Sequence, residues 1–241
     1  LQGERGLSRK SATPGNASYY YSFTRLPTHG ELRIGDSLYS VQGDSWLDRE
    51  WSSSALDKDQ AGWDWFALQL EDGRELMFYQ LRTRQGGAHA YSRGSLVDAN
   101  GSVHSLLPEQ VTLTPLRYWQ ADDGTRYPVD WRLQVVELQL DLEVTALLDD
   151  QLMDHSVHYW EGAVEVTGSH RGQGYRDHHV GAQPVELPLQ EFCRLGAKQH
   201  VGHHVFAEPA VHAGHAAEGL ADRVGRRFVE QPQLLQGRGP R

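Results

Sequence analysis

Two carboxylates stand two residues apart in the segment WLDREW, where Arg49 separates Asp48 from Glu50. Side chains at alternate positions of a β-strand point to the same side, so on a strand these two acids would share a face. Two charged carboxylates in one site repel each other, and the repulsion raises the pKa of one of them. The pair is therefore a candidate for an acid that stays protonated near neutral pH and can protonate a carbon–carbon double bond.

Tryptophans accompany these acids, and the mixture is typical of a pocket for an apolar molecule. The segment GWDWFALQL carries Trp63 and Trp65 on one face of a predicted strand and Asp64 on the other. Aromatic rings bind an apolar ligand and stabilise a developing cation, while a few polar groups orient it. We predict as catalytic residues Asp48, Glu50, Asp64 and Tyr79. The predicted ligand-binding residues are Trp51, Trp63, Trp65, Arg82, Trp131, Tyr159 and Glu161.

A structural interpretation of the same residues stands beside this one. Tryptophans commonly fill a core, and Asp64 with Arg82 would then form a buried or rim ion pair. Asp48 with Arg49, or Glu50 with Arg82, would likewise form structural ion pairs. The sequence leaves both interpretations open.

Antiparallel strands joined by tight turns must position these residues. Apolar and polar residues alternate along the chain, and turn residues such as Glu71-Asp72-Gly73 and Asn100-Gly101 separate the alternating runs. The predicted hairpins cover residues 65–84, 94–106 and 128–147, and a further strand covers 158–168. Only residues 147–155 could form a short helix. The pattern predicts an all-β fold, closed as an antiparallel β-barrel because closure removes exposed edges.

Composition excludes several classes of protein. The formal net charge of -9 and the absence of a basic stripe argue against a nucleic-acid partner. The single cysteine, Cys193, cannot form an internal disulfide, and no apolar run is long enough to span a membrane. The chain starts LQGERGLSRK, without an initiator methionine or an apolar leader, so we expect it to begin inside a longer protein.

The sequence changes character after Tyr175. All seven tryptophans and all ten tyrosines lie between Tyr19 and Tyr175, and the alternation stops there. Five later histidines, at positions 200, 203, 204, 212 and 215, have spacings that helical turns could use to hold a metal. No carboxylate set or cysteine pair completes such a site, so we predict no metal. We expect residues 176–241 to be a disordered or non-native tail.

Four segments carry a resemblance to a known family: SWLDREWSS, GWDWFALQLEDGRELMFYQLR, LTPLRYWQADDGTRYPVDWRLQV and YWEGAVEVTGSHRGQGY. Together they resemble the lipocalin-like family that includes carotenoid 1,2-hydratases and the attachment-type proteins described as predicted secreted hydrolases. Members are similar to two lipocalin-like barrels in tandem. The resemblance implies that residues 1–42 end an incomplete first barrel and that 43–175 form a nearly complete second barrel. The family continues from GQGY into a further aromatic strand, whereas this chain continues RDHHVGAQPVE, so we expect that strand to be missing.

The resemblance also bears on the chemistry. Carotenoid hydratases rely on a His-x-Trp element in this strand and on a Tyr-plus-Asp element in the following hairpin. Trp51 and Tyr79 match these elements, but Arg49 stands in the place of the histidine and no aspartate accompanies Tyr79. An arginine cannot shuttle a proton near neutral pH, so Glu50 or Asp64 would have to replace the missing acid.

Two classes of function follow. One is an enzyme that hydrates a small hydrophobic ligand of isoprenoid or carotenoid type, which requires no metal and no redox cofactor. The other is a non-catalytic periplasmic carrier of lipids or other lipophiles, in peripheral contact with a membrane or with an ABC-type transporter. The resemblance implies a periplasmic or secreted location and leaves the oligomeric state open. A nucleophilic hydrolase is disfavoured because the serines at 52–54 lack a G-x-S-x-G context.

Overall fold

The structure is a computed structural model that describes residues 1–52, 56–154, 158–180 and 199–209, with the backbone alone described at 154, 158 and 199–209. These residues form strands, turns and two short 3₁₀ segments, Pro108–Gln110 and Val136–Leu138, and no α-helix. The strands are β1 (Leu7–Arg9), β2 (Ala17–Ile34), β3 (Ser37–Ser52), β4 (Gln60–Leu70), β5 (Glu75–Thr83), β6 (Arg93–Val97), β7 (Val103–Leu106), β8 (Thr112–Gln120), β9 (Arg126–Val135), β10 (Leu140–Ala146), β11 (Leu152–Asp154), β12 (His158–Gly168), β13 (Gly172–Val180) and β14 (Gln199–Pro209).

A small sheet holds the first strands of the chain in the order β1-β2-β3-β14. Its centre is the long β2–β3 hairpin, in which Ser18 pairs with Ser52 at one end and Ile34 with Ser37 at the other. The tight turn between them uses Gly35 at φ 59°, a left-handed conformation that glycine adopts without steric cost. The candidate acids Asp48 and Glu50 therefore lie on a central strand of this sheet.

A large sheet holds the rest, in the order β7-β6-β5-β4-β13-β12-β10-β9-β8, with β11 attached to β12. The three predicted hairpins are confirmed as β4–β5, β6–β7 and β9–β10, and the strand predicted at 158–168 is confirmed as β12. Gly73 and Gly101 stand at positive φ in the first two turns, at the positions that the turn dipeptides indicated.

The large sheet curls until its distant strands share one core. Side chains from β4 and β5, such as Phe66 and Phe78, pack with Leu106 of β7 and with Leu133 of β9 in a single apolar cluster. Strands so far apart in the pairing order can meet only if the sheet bends round on itself. Its end strands β7 and β8 are not paired with each other in the described part of the chain. The fold is thus all-β and lipocalin-like, with a small sheet and a large sheet that curls into a half-barrel.

The structure corrects three predictions about secondary structure, one of them only for the residues that it describes. Residues 152–154, predicted as part of a short helix, form strand β11 because they pair with β12. Residues 176–180, assigned to the tail, are the second half of β13, the strand that begins with GQGY. The histidines at 200, 203 and 204 lie on the extended strand β14 rather than on helical turns, and those at 212 and 215 lie outside the described residues.

The predicted domain boundaries pass through two strands. The boundary at 42/43 falls inside β3, and the boundary at 175/176 falls inside β13. Strand pairing continues across both positions, with Gln42 opposite His29 and Arg176 opposite Phe66. Most of the remaining tail lies outside the described residues. Among the residues that are described, no helix is long and apolar enough to cross a membrane.

Candidate functional site

The two sheets pack face to face, and alternate side chains of β2 and β3 meet one face of β4 and β5. Tyr20 and Trp46 of the small sheet are buried against Trp65, Met77 and Tyr79 of the large sheet. Side chains two residues apart on a strand point to the same side, so alternate residues of each strand face the other sheet. We call this zone the intersheet layer; the members that matter here are Lys10, Tyr20, Asp48, Glu50, Trp65 and Tyr79.

Asp48 is the buried acid of the intersheet layer, with 7% of its surface exposed. Its Oδ1 accepts a hydrogen bond from the hydroxyl of Ser22, and the side chains of Trp46 and Tyr20 also interact with it. Burial raises the pKa of Asp48 to about 6; the charge of Glu50 adds to the rise, while the hydrogen-bond donors oppose it. A fraction of the molecules therefore carries a protonated Asp48 near neutral pH.

A hydrogen-bond chain connects this acid to the large sheet. The indole Nε1 of Trp65 donates to the hydroxyl oxygen of Tyr20 at 3.1 Å. Burial, and then the charges of Asp48 and Glu50, hold the pKa of Tyr20 well above its ordinary value, so its phenol stays protonated and can donate to Asp48. Trp65 and Asp48, both predicted from the sequence, thus meet through a residue that was not predicted.

Glu50 is held by a lysine that also contacts Tyr79. The Nζ of Lys10 lies 2.8 Å from Oε1 of Glu50 and 3.9 Å from the ring centroid of Tyr79. Ser18 donates a hydrogen bond to Glu50, and Tyr79 shares one of 2.7 Å with the hydroxyl of Ser8. Burial lowers the pKa of Lys10, but interactions with Tyr79 and Glu50 raise it more, so the ammonium stays charged. Lys10 therefore joins two predicted catalytic residues.

Three predicted ligand-binding residues extend the same face of the large sheet. Trp63 lies two residues before Trp65 on β4, so both side chains point to the same face. Asp177 of β13 is the direct partner of Trp65 and of Glu161, and Tyr159 precedes Glu161 by two residues, so these side chains share that face. Burial raises the pKa of Tyr159, and the charge of Glu161, its hydrogen bond with Glu161 and the charge of Asp177 raise it further. Acids and rings therefore continue along this face from β4 to β12.

Asp64 and Arg82 lie on the opposite, inner face of the curled sheet. The Nη1 of Arg82 lies 2.7 Å from Oδ2 of Asp64, and Nδ1 of His178 lies 2.5 Å from Oδ1. Burial raises the pKa of Asp64, but the hydrogen bond and charge of His178 and the charge of Arg82 lower it more, so the pKa falls below its ordinary value. The ion-pair interpretation holds for these two residues, and the structure does not bring them together with Asp48.

Trp51 and Trp131 also lie outside the intersheet layer. Trp51 is 36% exposed on the face of the small sheet turned away from the large sheet, with its ring centroid 5.9 Å from that of Tyr21. Trp131 belongs to the core inside the large sheet, 5.7 Å from Phe66. Trp51 follows Glu50 directly, so the pleat of β3 sends it to the other face.

The WLDREW strand does not lie beside the β4–β5 hairpin in one sheet. That strand, β3, pairs with β2 and β14, not with the β4–β5 hairpin. Asp48 and Glu50 reach Trp65 and Tyr79 across the gap between two sheets instead. No local sequence pattern indicates which distant strands will pair. The alternation along one strand does indicate which side chains share a face.

Several residues of the site were missed in the sequence. Asp177 and His178 were assigned to the tail, although the alternation Tyr175, Asp177, His179 continues the period of β13 and could have revealed the strand. Lys10 lies in the short β1–β2 connection, where no pattern marks it. Among the described residues, no cluster of three or more histidine, cysteine, aspartate or glutamate side chains could hold a metal ion.

Solved structures resemble this arrangement. A crystal structure of a candidate AttH protein from Nitrosomonas europaea is 38% identical and superposes with a TM-score of 0.68, covering 74% of this chain and 57% of that one. Kievitone hydratase from Nectria haematococca is 17% identical, with a TM-score of 0.61 over 73% of this chain and 56% of that one, and this likeness concerns the fold alone. The chain thus spans a little over half the length of these structures. No curated protein matches it significantly in sequence.

The family comparison covers both sheets and most of the site. The model of the AttH-like family matches residues 1–178, which include strands β1 to β12, most of β13 and every predicted site residue. The paired acids of β3 and the aromatic face of β4 therefore lie within the matched region. On this match, the chain belongs to the AttH-like family.

Proposed function

We propose that the protein binds a small hydrophobic molecule at the intersheet layer and hydrates a carbon–carbon double bond by acid catalysis. The observation that carries this proposal is Asp48, a buried carboxyl group with its pKa raised to about 6 among aromatic side chains. An acid whose pKa lies near the working pH combines a useful protonated fraction with a strong tendency to give the proton away. An isoprenoid alkene is the substrate class that the resemblance favours.

The reaction would begin with proton transfer from Asp48 to one carbon of the double bond. The π-electron pair forms the new carbon–hydrogen bond, and the other carbon becomes a cation. The side chain of Tyr20 interacts with the acid and Trp65 packs against Tyr20, so these rings would stabilise that charge through their π faces. Water then adds to the cation and loses a proton, which gives the alcohol. No electron is transferred, so the reaction needs no redox cofactor.

The end of the layer at Glu50 is more exposed than the part around Asp48. The side chain of Glu50 keeps 28% of its surface exposed and that of Lys10 keeps 18%, whereas Asp48 behind them is almost fully buried. A ligand entering past this ion pair would leave water and reach the acid among apolar rings. A dry surrounding strengthens the electrostatic contact between a carboxylate and a cation formed beside it.

A second candidate is a non-catalytic carrier of lipophilic molecules. The face of the small sheet turned away from the large sheet exposes several rings: Tyr19, Tyr21, Phe23 and Trp51. Tyr21 lies 5.7 Å from Phe23 and 5.9 Å from Trp51, so the rings form one patch. Such a patch would bind a lipophile without any acid. A periplasmic location and contact with a transporter or membrane belong to this second candidate.

Turnover of farnesol in deuterium oxide separates the two candidates. Wild-type protein should form the hydrated alcohol with deuterium on the neighbouring carbon, as detected by mass spectrometry. The Asp48→Asn variant should lose turnover by about 100-fold or more, because the amide keeps the shape and lacks the acidic proton. Farnesol binding, followed by tryptophan fluorescence, should change little.

Asp141→Asn is the matched control, since Asp141 forms an exposed ion pair with Arg132 and lies outside the intersheet layer. This variant should hydrate farnesol like the wild type. Binding without any hydrated product in the wild type would favour the carrier. Equal turnover by Asp48→Asn and the wild type would remove Asp48 from the mechanism.

A further inference from the structure

A second pair of carboxylates lies across two neighbouring strands of the large sheet. Glu161 of β12 and Asp177 of β13 are direct partners in the antiparallel register, and Asp177 is also the direct partner of Trp65 on β4. Side chains at such positions lie on one face with their Cβ atoms about 5 Å apart. Like charges directly opposite each other destabilise a sheet, so this arrangement requires a compensating feature.

Asp177 is the more buried member of the pair. Only 9% of its surface is exposed, and its Oδ1 is buried without a hydrogen bond to any residue that the structure describes. A hydrogen bond from the side chain of Trp63 on β4 also acts on the carboxyl group, and the charges that act on it are those of Glu161, Arg176 and Asp64. A buried carboxyl oxygen without a donor favours the neutral acid over the carboxylate.

Trp65 relates this pair to the acid of the proposed reaction. Its indole nitrogen contacts Tyr20, which adjoins Asp48, while its backbone partner on the other side is Asp177. A flat substrate resting on Trp65 would therefore have Asp48 toward one side and the Glu161–Asp177 pair toward another. Hydration needs this division, because a proton must arrive at one carbon and leave the water that attacks the other.

We propose that Glu161 and Asp177 are further catalytic residues for the proposed hydration: Glu161 takes the proton from the attacking water, and the neutral carboxyl of Asp177 holds that water by a hydrogen bond. The pair would thus carry one proton before the reaction and two after it. This inference rests on the proposed function and adds the residues that handle the water.

Electrostatics agrees with this assignment. Burial, followed by the negative charge of Glu161, raises the pKa of Asp177 well above its ordinary value, and the positive charge of Arg176 opposes the rise only in part. The same surroundings raise the pKa of Tyr175 to about 12, chiefly through burial and then through Glu161. These shifts favour the neutral acid of Asp177 and the neutral phenol of Tyr175.

The proton balance closes without any further reagent. Asp48 gives its proton to one alkene carbon and becomes a carboxylate. The lone pair of the water forms the carbon–oxygen bond, and the oxonium loses its proton to Glu161. Exchange with solvent then returns a proton to Asp48 and removes one from Glu161, so the net reaction is alkene plus water to alcohol.

Glu161→Gln distinguishes this role from that of Asp48. Without a base the cation would still form but would return its proton to Asp48, so farnesol should exchange hydrogen for deuterium in deuterium oxide while hydration falls about 100-fold or more. Asp48→Asn should lose exchange and hydration together. A residue that merely supports the sheet would reduce both in parallel.

The infrared spectrum provides a second, substrate-free reading of the pair. The protonated-carboxyl band of the wild type at neutral pH should lose the contribution of one group in Asp177→Asn, whereas Asp141→Asn should keep it. An unchanged band in Asp177→Asn, or full hydration by Glu161→Gln, would overturn the inference. A wild type that neither exchanges nor hydrates farnesol would instead overturn the proposed function itself and this role with it.

Discussion

Two aspartates of this chain, Asp48 and Asp64, differ in what surrounds them. Both are buried, and burial alone raises the pKa of each. Asp64 has His178 and Arg82 within ion-pair distance, and these partners bring its pKa below the ordinary value. Asp48 has hydroxyl and indole groups instead, which oppose the effect of burial without reversing it. Side-chain partners, not burial, therefore decide which aspartate can donate a proton.

Asp48 should make the protein less stable as the pH rises from about 4 to about 6. Its pKa is about 6 in the folded protein against 3.8 in the unfolded chain, so the folded state binds more protons in this window and loses stability as they dissociate. The loss attributable to Asp48 is on the order of 2 to 3 kcal/mol. Urea unfolding at several pH values should show a flatter pH dependence for Asp48→Asn than for the wild type; identical curves would contradict the buried-acid description.

Loss of the Asp64 carboxylate should lower the free energy of unfolding far more than loss of a solvent-exposed aspartate that also forms an ion pair. Asp64→Asn would leave Arg82 and His178 around a neutral amide, and removal of one partner from a buried ion pair costs about 3 kcal/mol or more. Asp141→Asn breaks a solvent-exposed pair with Arg132 and should change the unfolding midpoint much less. Equal losses in urea unfolding would mean that Asp64 is not held as the structure describes.

At the scale of elements, the hairpins were predicted and the second half of β13 was missed. Turn dipeptides and alternation marked β4 to β7, β9, β10 and β12 because both signals are local. Strand β13 continues through Arg176-Asp177-His178, where charged residues stand in place of the expected aromatic ones, so the alternation that continues there was overlooked. The strand is retained because Asp64 of β4 shares a hydrogen bond with His178 and Trp160 of β12 stacks on Arg176, with 4.1 Å from the guanidinium carbon to the ring centroid.

The GQGY segment at the start of β13 contains a glycine that the sheet requires. A Cβ atom at Gly174 would lie 2.3 Å from the carbonyl oxygen of Ala67 on β4, a contact that only a shift of the strand could relieve. Gly174→Ala should therefore lower the free energy of unfolding by about 1 to 3 kcal/mol.

Gly30 is the matched control for that change. It also lies in a strand, β2, and a Cβ atom there would meet nothing within 4 Å. Gly30→Ala should leave the midpoint of thermal unfolding unchanged or slightly higher. Comparable losses from both substitutions would show that glycine flexibility, rather than the close approach of β13 to β4, sets the cost.

At the scale of the whole molecule, the site exists because two sheets meet. The sequence showed which residues share a strand face, and it correctly grouped Trp63 with Trp65. It could not show which face of the large sheet would receive the small one, because contacts between sheets depend on the curvature of strands far apart in the chain. The acids of β3 therefore met the Trp65 face, while Asp64 and Arg82 remained inside the curled sheet.

The central claim is that a buried carboxyl group, Asp48, supplies the proton for hydration, and the dependence of turnover on pH tests it most directly. The rate of farnesol hydration should be highest where Asp48 is protonated and should fall as the pH rises through about 6, in proportion to the protonated fraction. Asp48→Asn should lack both the activity and this pH dependence. A rate that stays constant through this range, or a decline that persists in Asp48→Asn, would contradict the account.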